Sequence, residues 1–172
     1  MLTPDGILMN NDMDDFSSPD RSNQFGYVPS HPNFIVPGKR PLSSMSPIMV
    51  ENRHTGALEL IVGSSGGSRI ITANILTTYA YLSHHGQVSM DDVIARPRWH
   101  DQLLPPVTVF EYPGAQTPGF DNATVRALTA KGHQAAYTAP GLSNAQAIQH
   151  THAGSWHAAS ERRQYEARGA AI

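Results

Sequence analysis

With 172 residues and a formal net charge of -2, the chain can bury a core of its own. It carries no basic stripe, which argues against nucleic acid as its main partner. It has no cysteine, so thiol chemistry and disulfides are excluded while either redox compartment is tolerated. No apolar run approaches the roughly 18 residues of a membrane span, and the first residues lack the basic and apolar pattern of a signal peptide.

In chain order, Pro4-Asp5-Gly6 signals a turn and Ile7-Leu8-Met9 reads as a short buried strand. So abrupt an opening is expected of a piece of something longer. Residues 10–47 are polar and rich in Pro, Ser, Asn and Gly; a loop of this length is functional or disordered, so chemistry is expected there. Residues 48–50 and 57–62 flank Asn52-Arg53-His54-Thr55-Gly56 and predict a β-hairpin. The second arm runs into Gly63-Ser64-Ser65-Gly66-Gly67-Ser68-Arg69-Ile70. Ile71, Ile75, Leu76, Tyr79 and Leu82 then recur at helical spacing, and Gly86 stops the helix. A second helix is predicted from a capping box at Ser89 to just before Pro97. Residues 107–112 alternate like a strand, and Asp121 or Asn122 caps a third helix that Gly132 ends. Residues 133–139 and 145–151 read as two closing strands, and 160–172 as a surface tail. No repeat or linker interrupts this pattern, which predicts a single α/β domain over 1–172.

Three stretches carry chemistry. A strand, a small-residue turn and a helix start leave unpaired backbone N–H groups with the helix dipole behind them, which is an anion site. Gly66 and Gly67 let a ligand approach the main chain there. The anion could be a phosphate, a carboxylate or a developing oxyanion; a tight strand-to-helix turn would use the same small residues. Neither a Walker A lysine nor a G-x-G-x-x-G pattern is present, which disfavours nucleotides. Asn10-Asn11-Asp12-Met13-Asp14-Asp15-Phe16-Ser17 crowds three carboxylates, which repel unless a metal, an arginine or a substrate ammonium sits among them, or water solvates the turn. The spacing does not fit an EF-hand. Pro37-Gly38-Lys39-Arg40-Pro41-Leu42-Ser43-Ser44-Met45-Ser46-Pro47 sets paired hydroxyls in a proline-stiffened segment that suits a carboxylate, or forms an ordinary turn. Together the stretches would recognise an amino-acid-like acyl donor and stabilise a tetrahedral intermediate, but they lack a nucleophile. The nine histidines include His150-x-His152 on a predicted strand, yet surface histidines are the favoured reading and no metal or cofactor is expected.

In order and spacing, these three stretches resemble the small-subunit motifs of the gamma-glutamyl transpeptidases, or glutathione hydrolases, and the resemblance extends to Gly154-Ser155-Trp156-His157-Ala158-Ala159-Ser160. It implies an N-terminal-nucleophile hydrolase fold, a four-layer αββα sandwich represented here, over 1–172, by the C-terminal part of the small subunit. It also implies a precursor that cleaves itself to free a threonine, which attacks a γ-glutamyl amide and passes the acyl group to water or an acceptor amine. By resemblance, Asp15 binds the glutamyl α-amino group, Ser43 and Ser44 its α-carboxylate, and the Gly66 and Gly67 amides the oxyanion. Asp12 stands where the family has Glu or Gln; one methylene shorter, it reaches the ammonium through water. The resemblance places the catalytic threonine upstream of this sequence; Thr3, followed by Pro4 in a turn, does not fit that role. Implied partners are a large subunit, the front of the small subunit and a γ-glutamyl substrate such as glutathione, with a periplasmic or extracellular setting. A non-catalytic amino-acid-binding or interaction module derived from such an enzyme is the alternative, and a metal-dependent hydrolase built on the histidines a weaker one.

Overall fold

The computed structural model describes residues 3–115, 117–151 and 153–170. It divides into two compact units, Met1–Ser43 and Ser44–Ile172.

The first unit has little regular structure: two short 3-10 turns, Asp12–Asp15 and His31–Asn33, joined by irregular chain. Polar side chains fold it. Asn23 Oδ1 accepts from the Phe25 and Tyr27 amides at 3.0 and 3.1 Å, closing one turn. Among the described residues of this unit, Phe16 is the buried hydrophobic one. At Ile7-Leu8-Met9 the expected burial is corrected: Leu8 forms an isolated β-bridge, but these side chains are 61%, 79% and 52% exposed, and Ile7 hydrogen-bonds back to Thr3. Three apolar residues are buried only where a second layer covers them, and the described residues of this polar unit supply none.

The described residues of the second unit form two sheets. The hairpin forms as its pattern predicts: β1 (Ile48–Glu51) pairs antiparallel with β2 (Leu58–Ser65), with Ile48 opposite Val62. Asn52 shapes the connection, its side-chain carbonyl accepting from the His54 and Thr55 amides. β2 also pairs with β6 (Asn144–His150), and β6 with β7 (Trp156–Ala159), giving the order β1-β2-β6-β7. A smaller sheet orders β3 (Trp99–His100), β4 (Thr108–Glu111) and β5 (Ala135–Thr138), with β4 and β5 parallel. Among the described residues, three helices complete the unit: α1 (Arg69–Ser83), α2 (Met90–Ala95) and α3 (Asn122–Thr129). Asp121 caps α3 by accepting from the Thr124 amide, whereas the Ser89 side chain makes no capping bond at α2.

One face of the large sheet supplies Leu60, Val62 and Ala147 to a core completed by Tyr81 of α1 and Met90, Val93 and Ile94 of α2. α1 follows the predicted spacing, but the residues that mark it are not those it buries. Ala73, Asn74, Thr77, Thr78, Ala80 and Tyr81 face inward, while Ile71, Ile75, Tyr79 and Leu82 are exposed. On the other face of the sheet, Met49, Ile61, Ile148 and Ala158 lie in cross-strand register, with Met49 68% exposed. β3 escapes a sequence pattern because two residues are too few to alternate. In the last segment, Gln164, Tyr165 and Glu166 lie at the surface, whereas Glu161 is fully buried and the Arg163 side chain nearly so. Charge pairing explains that burial, as described below.

Candidate active site

β2 delivers the glycine turn to the start of α1. Gly66 has φ +125° and Gly67 φ +60°, backbone angles that favour residues without a Cβ. Gly66 also has no room for one: a Cβ there would stand 2.5 Å from the Leu142 carbonyl oxygen and 2.9 Å from Ser143 Cα. Both carbonyls are committed, Gly66 to the Arg69 amide and Gly67 to the Ile70 amide and, at 2.7 Å, to the Ser44 hydroxyl. The Gly66 and Gly67 amides, by contrast, donate to none of the described residues. The turn is thus fixed through its oxygens, and its nitrogens remain for an incoming acceptor.

Asn74, on α1 and 1% exposed, steadies the approach to the turn. Its carbonyl accepts from Ser64 Oγ at 2.6 Å and its amide donates to the Ser46 carbonyl at 2.6 Å. Nothing in a helical pattern flags such an asparagine; its value comes from two segments distant in sequence.

Beneath the loop that touches Gly66 lies a buried ionic network. Arg98 donates to the Ser143 carbonyl at 2.8 Å and meets Glu161 at 2.7 Å. Glu161 also accepts from the Ala145 amide at 2.9 Å. Arg163 bridges Glu161 at 2.8 Å and Glu111 at 2.6 Å. Burial alone would raise the Glu161 carboxyl, but the Arg98 charge and hydrogen bonds from Arg163 outweigh it and hold it below its ordinary value. Burial and the neighbouring Arg163 charge depress Arg98 instead. Close by, His100 is buried between Thr72 Oγ1 at 2.9 Å and Gln102 Oε1 at 2.8 Å. Burial lowers its pKa and keeps the imidazole neutral at pH 7.

In the first unit, Asp12 and Asp15 sit in one 3-10 turn with both side chains exposed. The Asp12 amide is held by Asn10 Oδ1, and the Asp15 carbonyl by Asn33 Nδ2 at 2.8 Å. Nothing among the described residues pairs with the Asp15 carboxylate. The same Asn33 accepts from the Leu42 amide at 2.8 Å, next to Ser43. Asp15 and Ser43 therefore share one unit, in which the Asn33 side chain bridges Asp15 to Leu42, while Ser44, Gly66 and Gly67 belong to the second unit, where the Ser44 hydroxyl bonds Gly67. His152 lies outside the described residues, and among those described no three His, Asp or Glu side chains gather as a metal set.

This architecture has well-matched relatives. The family model described as gamma-glutamyltranspeptidase matches residues 1–171. A glutathione hydrolase proenzyme of Arthroderma benhamiae is 43% identical over 128 residues, covering 74% of this chain and 20% of that protein. A glutathione hydrolase of Aspergillus flavus is 39% identical over 144 residues, covering 83% of this chain and 23% of that protein. Among solved structures, a Helicobacter pylori gamma-glutamyltranspeptidase T380A mutant superposes with a TM-score of 0.81 at 32% identity, over 95% of this chain and 85% of that one. The Pseudomonas nitroreducens enzyme complexed with L-DON gives a TM-score of 0.81 at 32% identity, over 100% and 86%. The fold is therefore that of the N-terminal-nucleophile hydrolases. Within that class, the chain belongs to the gamma-glutamyltranspeptidase family, also named glutathione hydrolases, and spans about a fifth of the length of the curated relatives it matches.

Proposed function

We propose that this chain supplies the glutamyl-binding and oxyanion elements of an enzyme that cleaves γ-glutamyl amides, such as glutathione, through a threonine acyl-enzyme. In this reading, the threonine is supplied from outside these 172 residues. In this reading the Asp15 carboxylate receives the α-ammonium of the glutamyl group, with Asp12 assisting through water, and Ser43 and Ser44 receive its α-carboxylate. As the threonine hydroxyl adds to the γ-carbonyl and its α-amino group takes the proton, negative charge gathers on the carbonyl oxygen. The Gly66 and Gly67 amides meet that oxygen; a donor so placed is worth roughly a hundred- to a thousandfold in rate. Collapse expels the amine, and water or an acceptor amine then releases the glutamyl group.

The observation that carries the reading is the turn at Gly66 and Gly67, whose carbonyls are bonded while its amides are left to an acceptor. Ser44 spends its only hydroxyl proton on Gly67, so in this reading it turns that proton to the carboxylate when substrate arrives. The apolar face of α1 and the exposed row around Met49 support a second chain that covers them, such as a large subunit. Hydrolysis of γ-glutamyl-p-nitroanilide tests the proposal. The isolated chain should be inactive, and activity should appear when a threonine segment and a large subunit are supplied. Turnover by the chain alone would refute the placement of the nucleophile, and a reconstituted but inactive assembly would refute the function.

A further inference from the structure

Asn33 lies outside the three motif stretches, and its side chain uses both ends. Its amide donates to the Asp15 carbonyl at 2.8 Å and to Ser17 Oγ at 3.3 Å, and its carbonyl accepts from the Leu42 amide at 2.8 Å. Its own backbone carbonyl accepts from the Ser17 amide at 3.1 Å. The residue is itself held. It closes the 3-10 turn His31–Asn33, in which Pro32 restricts the backbone, and Lys39 Nζ donates to the Pro32 and Phe34 carbonyls on either side. In a unit whose described hydrophobic core is Phe16, these bonds set the distance between the Asp15 segment and the Leu42–Ser43 segment.

We propose that Asn33 is a positioning residue of the glutamyl site: it holds Asp15 and Ser43 at the spacing of one α-ammonium and one α-carboxylate, so that both ends of an amino acid bind together. This rests on the roles proposed above for Asp15 and Ser43. Asparagine suits the task because it donates and accepts in one plane. Aspartate has the same shape but no donor, and would face the Asp15 carbonyl and Ser17 hydroxyl with charge. The advantage of joining two contacts is an effective-concentration gain, which vanishes when the geometry forbids simultaneous engagement.

The test is an amide NMR titration of the 172-residue chain and its Asn33→Asp variant with L-glutamate, with glutarate, which lacks the amine, and with 4-aminobutyrate, which lacks the α-carboxylate. The original chain should bind glutamate more tightly than either analogue. Asn33→Asp should lose about tenfold for glutamate, equivalent to about 1.4 kcal/mol, and change little for the two analogues. A merely structural lesion would weaken all three alike and would overturn the proposal, as would unchanged glutamate affinity in the folded variant. If the original chain fails to prefer glutamate over the analogues, the roles of Asp15 and Ser43 fall, and the inference with them. Should Asn33→Asp fail to fold, Lys39→Met replaces it. That change loosens the same turn from an exposed position, and the same loss confined to glutamate is expected; its absence overturns the proposal.

Discussion

Around Gly66 the backbone is confined by backbone: the Leu142 carbonyl and Ser143 Cα stand where a side chain would begin, and a buried arginine holds the Ser143 carbonyl from below. Around Asp15 the confinement comes from side-chain hydrogen bonds on an exposed loop, with Asn33 at their centre. The contrast follows the work proposed for each. An oxyanion hole must keep its donors fixed while charge develops, and rigid packing accomplishes that. A zwitterion-binding loop must also admit its ligand, and a few polar contacts hold it while leaving it open. Damage to the turn should therefore register as lost stability and lost turnover together, and damage to the loop mainly as lost affinity.

The largest effect should come from the network beneath the turn. Glu161→Ala leaves Arg98 buried without its carboxylate, and removing one partner of a buried pair costs about 3–5 kcal/mol. Urea unfolding of the second unit measures it. A loss no greater than that of an exposed pair would contradict the description of this site as fully buried.

Gly66→Ala comes next and separates steric from conformational effects at the turn. It meets both the left-handed φ and the Leu142 oxygen, and should cost upwards of about 1–3 kcal/mol and abolish turnover in the assembled enzyme. Gly67→Ala meets a left-handed φ of +60°, about 1–2 kcal/mol, and should retain some activity. Equal losses would mean that Leu142 and Ser143 do not set the geometry.

A cap remote from both regions calibrates the scale. Asp121→Ala removes the acceptor for the Thr124 amide and should cost about 1 kcal/mol with no effect on glutamate binding.

The smallest effect expected is a pH slope. His100 has a folded pKa below its ordinary value, so as pH falls the unfolded chain takes up the proton first. Its contribution to stability is whole above the ordinary imidazole value and declines as pH drops through that value toward the folded one. Urea midpoints at about pH 8 and about pH 5.5 should differ, and His100→Gln should flatten the difference. A slope unchanged in the variant would assign it to other groups.

Much of this was legible in the residues. The hairpin alternates and is bounded by an Asn-to-Gly turn; α1 has its period and its stop at Gly86; α3 has its aspartate cap and closing glycine. The motif residues were legible because charge crowding and small-residue turns are local properties. Asn33, Asn74, Arg98 and Glu161 were not, since each matters through a partner far along the chain and no periodicity marks it. The buried end of the last segment escaped for the same reason: Glu161 and Arg163 look solvated until Arg98 and Glu111 are placed beside them. Ile7-Leu8-Met9 misled in the opposite direction, because an apolar triplet carries no information about whether a second layer exists to cover it.

Both regions can be followed at once by recording the amide resonances of Asp15, Ser43, Gly66 and Gly67 while L-glutamate is added, its γ-carboxylate standing in for the developing oxyanion. All four should move along a single binding curve, with the glycine amide protons shifting downfield as they gain an acceptor. Movement at Asp15 and Ser43 with Gly66 and Gly67 unperturbed would show that the two regions do not serve the same glutamyl group.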